Sequence, residues 1–158
     1  MKYQLYISLI VLLFAGCSAF PSKESTRKNI IGVWQLMDYG YGNYSYSILG
    51  FTPDGRKCVI SLEMDQFGSP VVDYYLNSWL IEGNMLVTIV GNSPSSSLPK
   101  GYIIKDEIKA IDVEKMDLIM RVPSSSDPRL ERHKKLYAEK PERICEVVKN
   151  FADSERSR

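Results

Sequence analysis

The sequence lacks most of the residues from which catalytic and metal sites are built. It has one histidine, His133, and neither a glycine-rich phosphate loop nor cysteines and histidines at zinc-ligand spacing. A histidine-dependent catalytic arrangement would therefore need His133. The adjacent Asp106 and Glu107 would point to opposite faces of a strand, so they do not indicate a two-carboxylate site. We expect a protein that is not an enzyme, with no metal site and no cofactor.

An excess of charge of one sign is also missing. The chain has 158 residues, with 20 Lys and Arg against 19 Asp and Glu, and a formal net charge of +1. Nucleic-acid partners are normally held by an excess of basic side chains on one face. The charge balance therefore argues against a nucleic-acid partner, and the length favours one domain with its own core.

The first residues are typical of an exported protein. Lys2 is followed by an apolar stretch, residues 3–14. This stretch is shorter than the roughly 20 residues of a membrane-spanning helix but fits the apolar region of a signal peptide. The tetrapeptide Phe-Ala-Gly-Cys that ends at Cys17 resembles the lipobox of bacterial lipoproteins, in which the signal peptide is removed and the cysteine is acylated.

This resemblance implies a lipid-anchored protein of the bacterial cell envelope whose membrane partner is reached through acyl chains on Cys17. Ser18 resembles the residue that directs such proteins to the outer membrane, so we expect the protein to face the periplasm from there. The alternative is an ordinary signal peptide with an incidental cysteine. The predicted parts are a signal peptide (1–16), a lipidated N-terminus and tether (17–29), a folded domain (30–150) and a flexible tail (151–158).

Alternation of apolar and polar residues predicts an antiparallel meander from residue 30 onwards. Residues 53–55, Pro-Asp-Gly, favour a tight turn. On the third strand the alternation assigns Cys58, Ile60 and Leu62 to the inner face. Eight strands favour a closed barrel, because closure removes exposed edges. The predicted strands are 30–37, 44–48, 57–63, 74–81, 85–90, 102–111, 116–122 and 143–149.

One short helix is predicted before the last strand. Asp127 is a plausible N-cap and Pro128 stands where a first helical residue would. The apolar stripe of this segment, which includes His133, is thin, so we expect the helix on the surface. The predicted fold is all-β, an eight-stranded antiparallel up-and-down barrel with this one helix.

Gly32 and Trp34 on the first strand resemble the Gly-x-Trp signature of the lipocalins and the wider calycin group. Those proteins place a basic residue on the tryptophan, a favourable cation–π contact, and the resemblance assigns this role to Arg143. It implies a lipocalin-like barrel, which is wide enough to be filled by its own side chains or to hold one small ligand.

We expect the barrel to bind a small apolar or amphipathic molecule in its lumen or at its mouth. A loop rich in tyrosine and glycine carries the residues that we expect to touch it, Tyr39, Tyr41, Tyr44 and Tyr46. Ordinary packing of these tyrosines is the alternative interpretation. The competing hypothesis for the whole chain is an envelope scaffold with a filled barrel, which contacts a protein partner through residues 91–100 or 123–142.

Two cysteines remain after lipidation of Cys17. The envelope permits a disulfide between Cys58 and Cys145. A bridge requires Cα atoms within about 7 Å, whereas the predicted third and eighth strands are not neighbours. This order favours two buried free thiols, and the disulfide remains the alternative.

Overall fold

The computed structural model describes residues 22–37, 46–64, 67–92, 99–121 and 127–156. Each strand pairs antiparallel with the next, and the last pairs with the first to close the barrel. The predicted eight-stranded up-and-down barrel, the architecture of the lipocalins, is therefore confirmed. The strands are β1 (Gly32–Leu36), β2 (Tyr46–Phe51), β3 (Arg56–Met64), β4 (Pro70–Glu82), β5 (Met85–Asn92), β6 (Ile103–Ile111), β7 (Lys115–Met120) and β8 (Arg129–Leu136). The helices are α1 (Lys23–Ile30) and α2 (Pro141–Arg156).

Helix α1 closes one end of the barrel. Ser22 caps it by accepting a hydrogen bond from the Ser25 amide at 3.2 Å. Thr26 and Ile30, one turn apart, are both buried. The predicted tether over residues 17–29 is therefore wrong from Lys23 onwards. A short helix with two buried positions shows little apolar periodicity, and it forms here because it docks on the barrel.

The half of the barrel next to α1 is filled by its own side chains. Trp34 is fully buried and its Nε1 donates to the Ile30 carbonyl at 2.7 Å. Phe51 and Trp79 meet edge to face at 5.5 Å between ring centroids. The other members of this apolar cluster are Leu49, Ile81, Leu86, Ile108, Met116 and Leu118.

The order of the last two elements differs from the prediction. The segment predicted as a helix is strand β8, which pairs with both β1 and β7. The segment predicted as the eighth strand lies within α2, whose buried residues Ile144, Val148 and Ala152 recur every four residues. That spacing is helical. Because residues 143–149 also alternate in polarity, the sequence alone did not separate the two patterns.

Helix α2 packs on the outside of the barrel, and this reverses the predicted faces of β3. Cys58 and Ile60 pack with Ile144 and Val148 of the helix. Lys57 and its alternate neighbours on β3 instead face the lumen. The prediction that the apolar face of β3 is the inner one is therefore wrong, because that face is covered from outside by a helix.

The disulfide between Cys58 and Cys145 joins α2 to β3, with Cα atoms 5.1 Å apart. Of the two alternatives, the favoured pair of free thiols is wrong. The predicted strand order puts Cys145 on a strand remote from β3, whereas helix α2 carries it across the outer faces of β1 to β4.

The basic residue on the signature tryptophan is Lys135, not Arg143. The Nζ atom of Lys135 lies 4.9 Å from the centroid of the Trp34 ring and donates to the Asn29 carbonyl at 2.8 Å. Arg143 is exposed on α2, 3.8 Å from Glu139. The predicted role was assigned to the wrong residue because the last strand was assigned to the wrong segment.

Across the described ranges, neither helix is long and apolar enough to cross a membrane.

Candidate functional site in the polar half of the lumen

The half of the lumen away from α1 holds polar and charged side chains. A cavity of about 170 Å³ lies there. The side chains at its base come from strands on opposite sides of the barrel, with Lys57 on β3, Thr88 on β5 and His133 on β8. The residues that line it are Leu36, Ser47, Leu49, Lys57, Val59, Tyr75, Asn77, Thr88, Ile104, Glu131 and His133.

Lys57 is the buried basic residue of this site. Its Nζ atom donates to Thr88 Oγ1 at 3.1 Å and lies 5.5 Å from the centroid of the Phe51 ring. Burial lowers the pKa of Lys57, and the carboxylates of Asp106 and Glu131 oppose that effect. In the described part of the chain, Thr88 is the one hydrogen-bond acceptor for Nζ. Two of its three N–H donors are therefore unused by the described residues.

Asp106 is buried on β6, where it pairs with Leu86 of β5. Its Oδ1 accepts no hydrogen bond from the described residues. Burial raises the pKa of Asp106, while the charge of Lys57 lowers it. A buried acceptor without a partner is destabilising by about 1–3 kcal/mol, so this carboxyl is an unusual feature for an interior that serves packing alone.

His133 is buried on the inner face of β8, and not exposed on a helix as the sequence predicted. Its Nε2 lies 3.7 Å from Glu131 Oε2, and its Nδ1 has no hydrogen-bond partner in the described part of the chain. Burial and the nearby charge of Lys57 lower the pKa of His133 to about 4, against a backbone hydrogen bond with Met116. The imidazole is therefore neutral near pH 7.

Hydroxyl groups complete the lining on the side of β2 to β4. Ser47 and Ser61 share a hydrogen bond of 2.8 Å between their hydroxyls. Tyr75 donates to Asp73 Oδ2 at 3.4 Å. Burial and the charges of Asp73 and Glu63 raise the pKa of Tyr75 to about 12, so its hydroxyl stays a hydrogen-bond donor. The site can form hydrogen bonds to both donors and acceptors of a bound molecule.

The charged groups come from β3, β6 and β8, and they are coupled to one another. Within the described ranges, no group of three or more His, Cys, Asp or Glu side chains could hold a metal ion.

Of the four tyrosines predicted to touch a ligand, the structure describes Tyr46. Tyr39, Tyr41 and Tyr44 lie outside the described residues, as does Cys17. Tyr46 begins β2 and pairs with Leu62, and both are exposed on the outer face. Tyr46 therefore does not line the lumen.

The signature residues Gly32 and Trp34 lie towards the closed end and are not among the residues that line the cavity. Gly32 adopts a positive φ of 139° at the start of β1, and the ring of Trp34 packs in the apolar cluster. They support the barrel and do not line its polar half. Lys57, Asp106 and His133 were missed as a group, although the even spacing of Lys57, Val59 and Ser61 was a usable signal.

Comparison with known proteins adds little to this description. No family model matches the chain, and no curated protein matches it significantly. A crystal structure of a lipocalin-like protein from Bacteroides uniformis ATCC 8492 matches with 10% sequence identity and a TM-score of 0.41. The match covers 68% of this chain and 99% of that one. At that level it carries no argument about function, and the fold rests on the strand pairing itself.

Proposed function

We propose that the chain is a lipid-anchored protein of the bacterial cell envelope whose barrel binds a small polar ligand. The observation that carries this proposal is the lumen cavity, which is bordered by the buried Lys57 and by Glu131 and His133. Binding sites are typically concave and contain a few well-placed polar groups. This one lies inside a barrel whose other half is packed with side chains.

The size and lining of the cavity favour a compact polar molecule. Its volume of about 170 Å³ is below the roughly 300–1,000 Å³ of pockets for drug-sized ligands. It corresponds to about five or six water molecules at their share of liquid volume. A purely apolar ligand is less well supported, because apolar side chains fill the other half of the lumen and charged side chains border the open cavity beside its aliphatic lining residues.

The envelope location is supported by the leader and by the cysteines. Structural disulfides persist in oxidising compartments such as the periplasm, and the bond between Cys58 and Cys145 fits that location. Helix α1 begins six residues after Cys17, a span of at most roughly 20 Å. An acylated Cys17 would therefore hold the α1 end of the barrel near the membrane. The cavity, at the other end, would receive its ligand from the periplasm.

Thermal unfolding of the mature protein in mild detergent tests the ligand. Polar compounds of the size of the cavity should raise the unfolding midpoint, and alkyl compounds of equal size should not. Lys57→Met should abolish the increase. Lys109→Met, which changes an exposed lysine on β6, is the matched control. If alkyl compounds raise the midpoint as much as polar ones, or if none does, the polar-ligand proposal fails. The scaffold hypothesis then becomes the better one.

Metabolic labelling with a clickable fatty acid tests the anchor. The wild-type chain should carry the label and sediment with the outer membrane, whereas Cys17→Ala should lose the label and stay with its signal peptide uncleaved. Ser18→Ala is the matched control and should be labelled normally. An unlabelled wild-type chain would contradict the lipid anchor.

A further inference from the structure

Two opposite charges border the same small cavity from opposite sides of the barrel. Lys57 comes from β3 and Glu131 from β8, and two strands, β1 and β2, separate them in the sheet. Glu131 raises the pKa of Lys57, so the two side chains interact across the lumen. A molecule in the cavity therefore lies between a cationic wall and an anionic wall.

The cationic wall has unused hydrogen-bond donors. In the described structure the ammonium of Lys57 donates only to Thr88, which leaves two donors for a bound acceptor. A carboxylate has two oxygens that can accept from them, and a charged pair gives stronger hydrogen bonds than neutral groups do. The Lys57 side therefore favours an anionic group on the ligand.

The anionic wall excludes a simple anion. Asp106 and Glu131 both oppose the lowering of the Lys57 pKa, so each presents negative charge towards the lysine. An anion would gain from Lys57 but would be repelled by the two carboxylates, and a cation would be repelled by Lys57. A neutral molecule with a charge of each sign at its two ends meets a favourable partner at both walls.

We propose that the lumen ligand is a small zwitterion of the amino-acid type, with its carboxylate on Lys57 and its ammonium on Glu131. This inference rests on the proposed function, since it names the class of ligand for the same cavity. Amino acids as small as glycine or alanine have about five or six non-hydrogen atoms, which matches a space for about five or six waters. Longer side chains would exceed this volume, and the filled half of the barrel blocks their extension towards α1.

Isothermal titration of the mature protein in mild detergent tests the proposal with four probes of similar size. Alanine carries both charges, propionate only the negative one, isopropylammonium only the positive one, and lactamide neither. Alanine should bind at least tenfold more tightly than each of the other three. Phenylalanine, which keeps both charges but exceeds the cavity, should not bind.

Two variants identify the walls. Glu131→Gln keeps the shape of the side chain and removes its charge. It should therefore weaken the binding of alanine at least tenfold and leave the binding of propionate unchanged or tighter. Lys57→Met should weaken both alanine and propionate. Lys134→Met, on the outer face of β8, is the matched control and should bind alanine as the wild type does. Near-ultraviolet circular dichroism checks that each variant is folded. If Lys57→Met does not fold, the binding data of Glu131→Gln alone decide the proposal.

The outcomes separate this inference from the proposed function. If lactamide, propionate or isopropylammonium binds as tightly as alanine, the zwitterion is refuted and the polar-ligand proposal stands. Alanine binding that is unchanged in Glu131→Gln also refutes it. If neither these probes nor the wider set of polar compounds binds, both proposals fail together.

Discussion

Removal of the disulfide should have the largest effect on stability of the changes considered for this barrel. Cys58 and Cys145 are 87 residues apart, and a cross-link over that distance removes much of the entropy of the unfolded chain. The loop-closure relation gives about 4–5 kcal/mol at 25 °C for a loop of this length. Domains of this size are stable by only about 5–15 kcal/mol in total. The double variant Cys58→Ala with Cys145→Ala should therefore be folded but markedly less stable.

Urea unfolding, followed by tryptophan fluorescence, measures this loss. The unfolding free energy of the oxidised wild type should be about 4–5 kcal/mol higher than that of the Ala pair and that of the reduced wild type. The thermal midpoint should fall by on the order of 10–15 °C. The Ala pair has no thiol left in the domain, so the reductant should not change its unfolding curve. That insensitivity is the internal control.

Two results would refute the reasoning. The first is alkylation of two thiols in the native, unreduced mature protein, which would show that the bond does not form. The second is a loss below about 1 kcal/mol in the Ala pair, which would mean that α2 stays docked and the unfolded chain is not restricted by the bond. Intact-mass measurement with and without alkylating agent distinguishes them.

Three further changes test other contacts. The pKa of His133 is about 4 in the fold and 6.5 when unperturbed, so its contribution to stability is full above pH 6.5 and is lost as the pH falls to 4. In urea unfolding, the free energy of unfolding should fall by about 3 kcal/mol over this range. The His133→Leu variant should not show this fall. Lys135→Met removes a cation–π contact and a hydrogen bond and should lower the unfolding free energy by about 1–2 kcal/mol. Arg143→Met removes only an exposed ion pair and should change the unfolding free energy by less than about 0.5 kcal/mol. Equal effects of the two variants would contradict the assignment of Lys135 to the tryptophan. Gly50→Ala would place a Cβ 3.0 Å from a carbonyl oxygen of α2 and should lower the unfolding free energy by about 1–3 kcal/mol. An unchanged midpoint of thermal unfolding would show that α2 shifts freely.

The strands and turns that depend on local signals could be predicted from the sequence. Seven strands lie close to their predicted positions, and the turn at residues 53–55 has the expected positive φ at Gly55, 89°. The hairpin around residues 82–84 also forms, with Gly83 at a φ of 60°. These features follow from residues a few positions apart, so no knowledge of the tertiary structure was needed.

The last third of the chain could not be assigned in this way, because its two patterns are both ambiguous. Strand β8 is rich in Arg and Lys, which have no strong preference for strands, and its identity follows from pairing with β1 and β7. Helix α2 shows period-two alternation over a few residues and a helical stripe over sixteen. Over a short window the alternation is the clearer pattern. Because the helix and the last strand were predicted in each other's place, Cys145 and Arg143 were both assigned to the wrong element. This one error led to the wrong prediction for the disulfide and for the basic residue on Trp34.

The polar lumen was missed for a more general reason. Alternation shows that a strand has two faces, but it does not show which face points into a barrel. The usual assumption that the apolar face is inner holds when the outer face meets water. On β3 the outer face meets α2, so Cys58 is buried and Ile60 partly buried from outside, while Lys57 and Ser61 point inward. An amphipathic helix after the last strand predicts this reversal. Once the reversal is made, the inward side chains of β3 and β8 include Lys57 and Glu131, the pair on which the binding proposals depend.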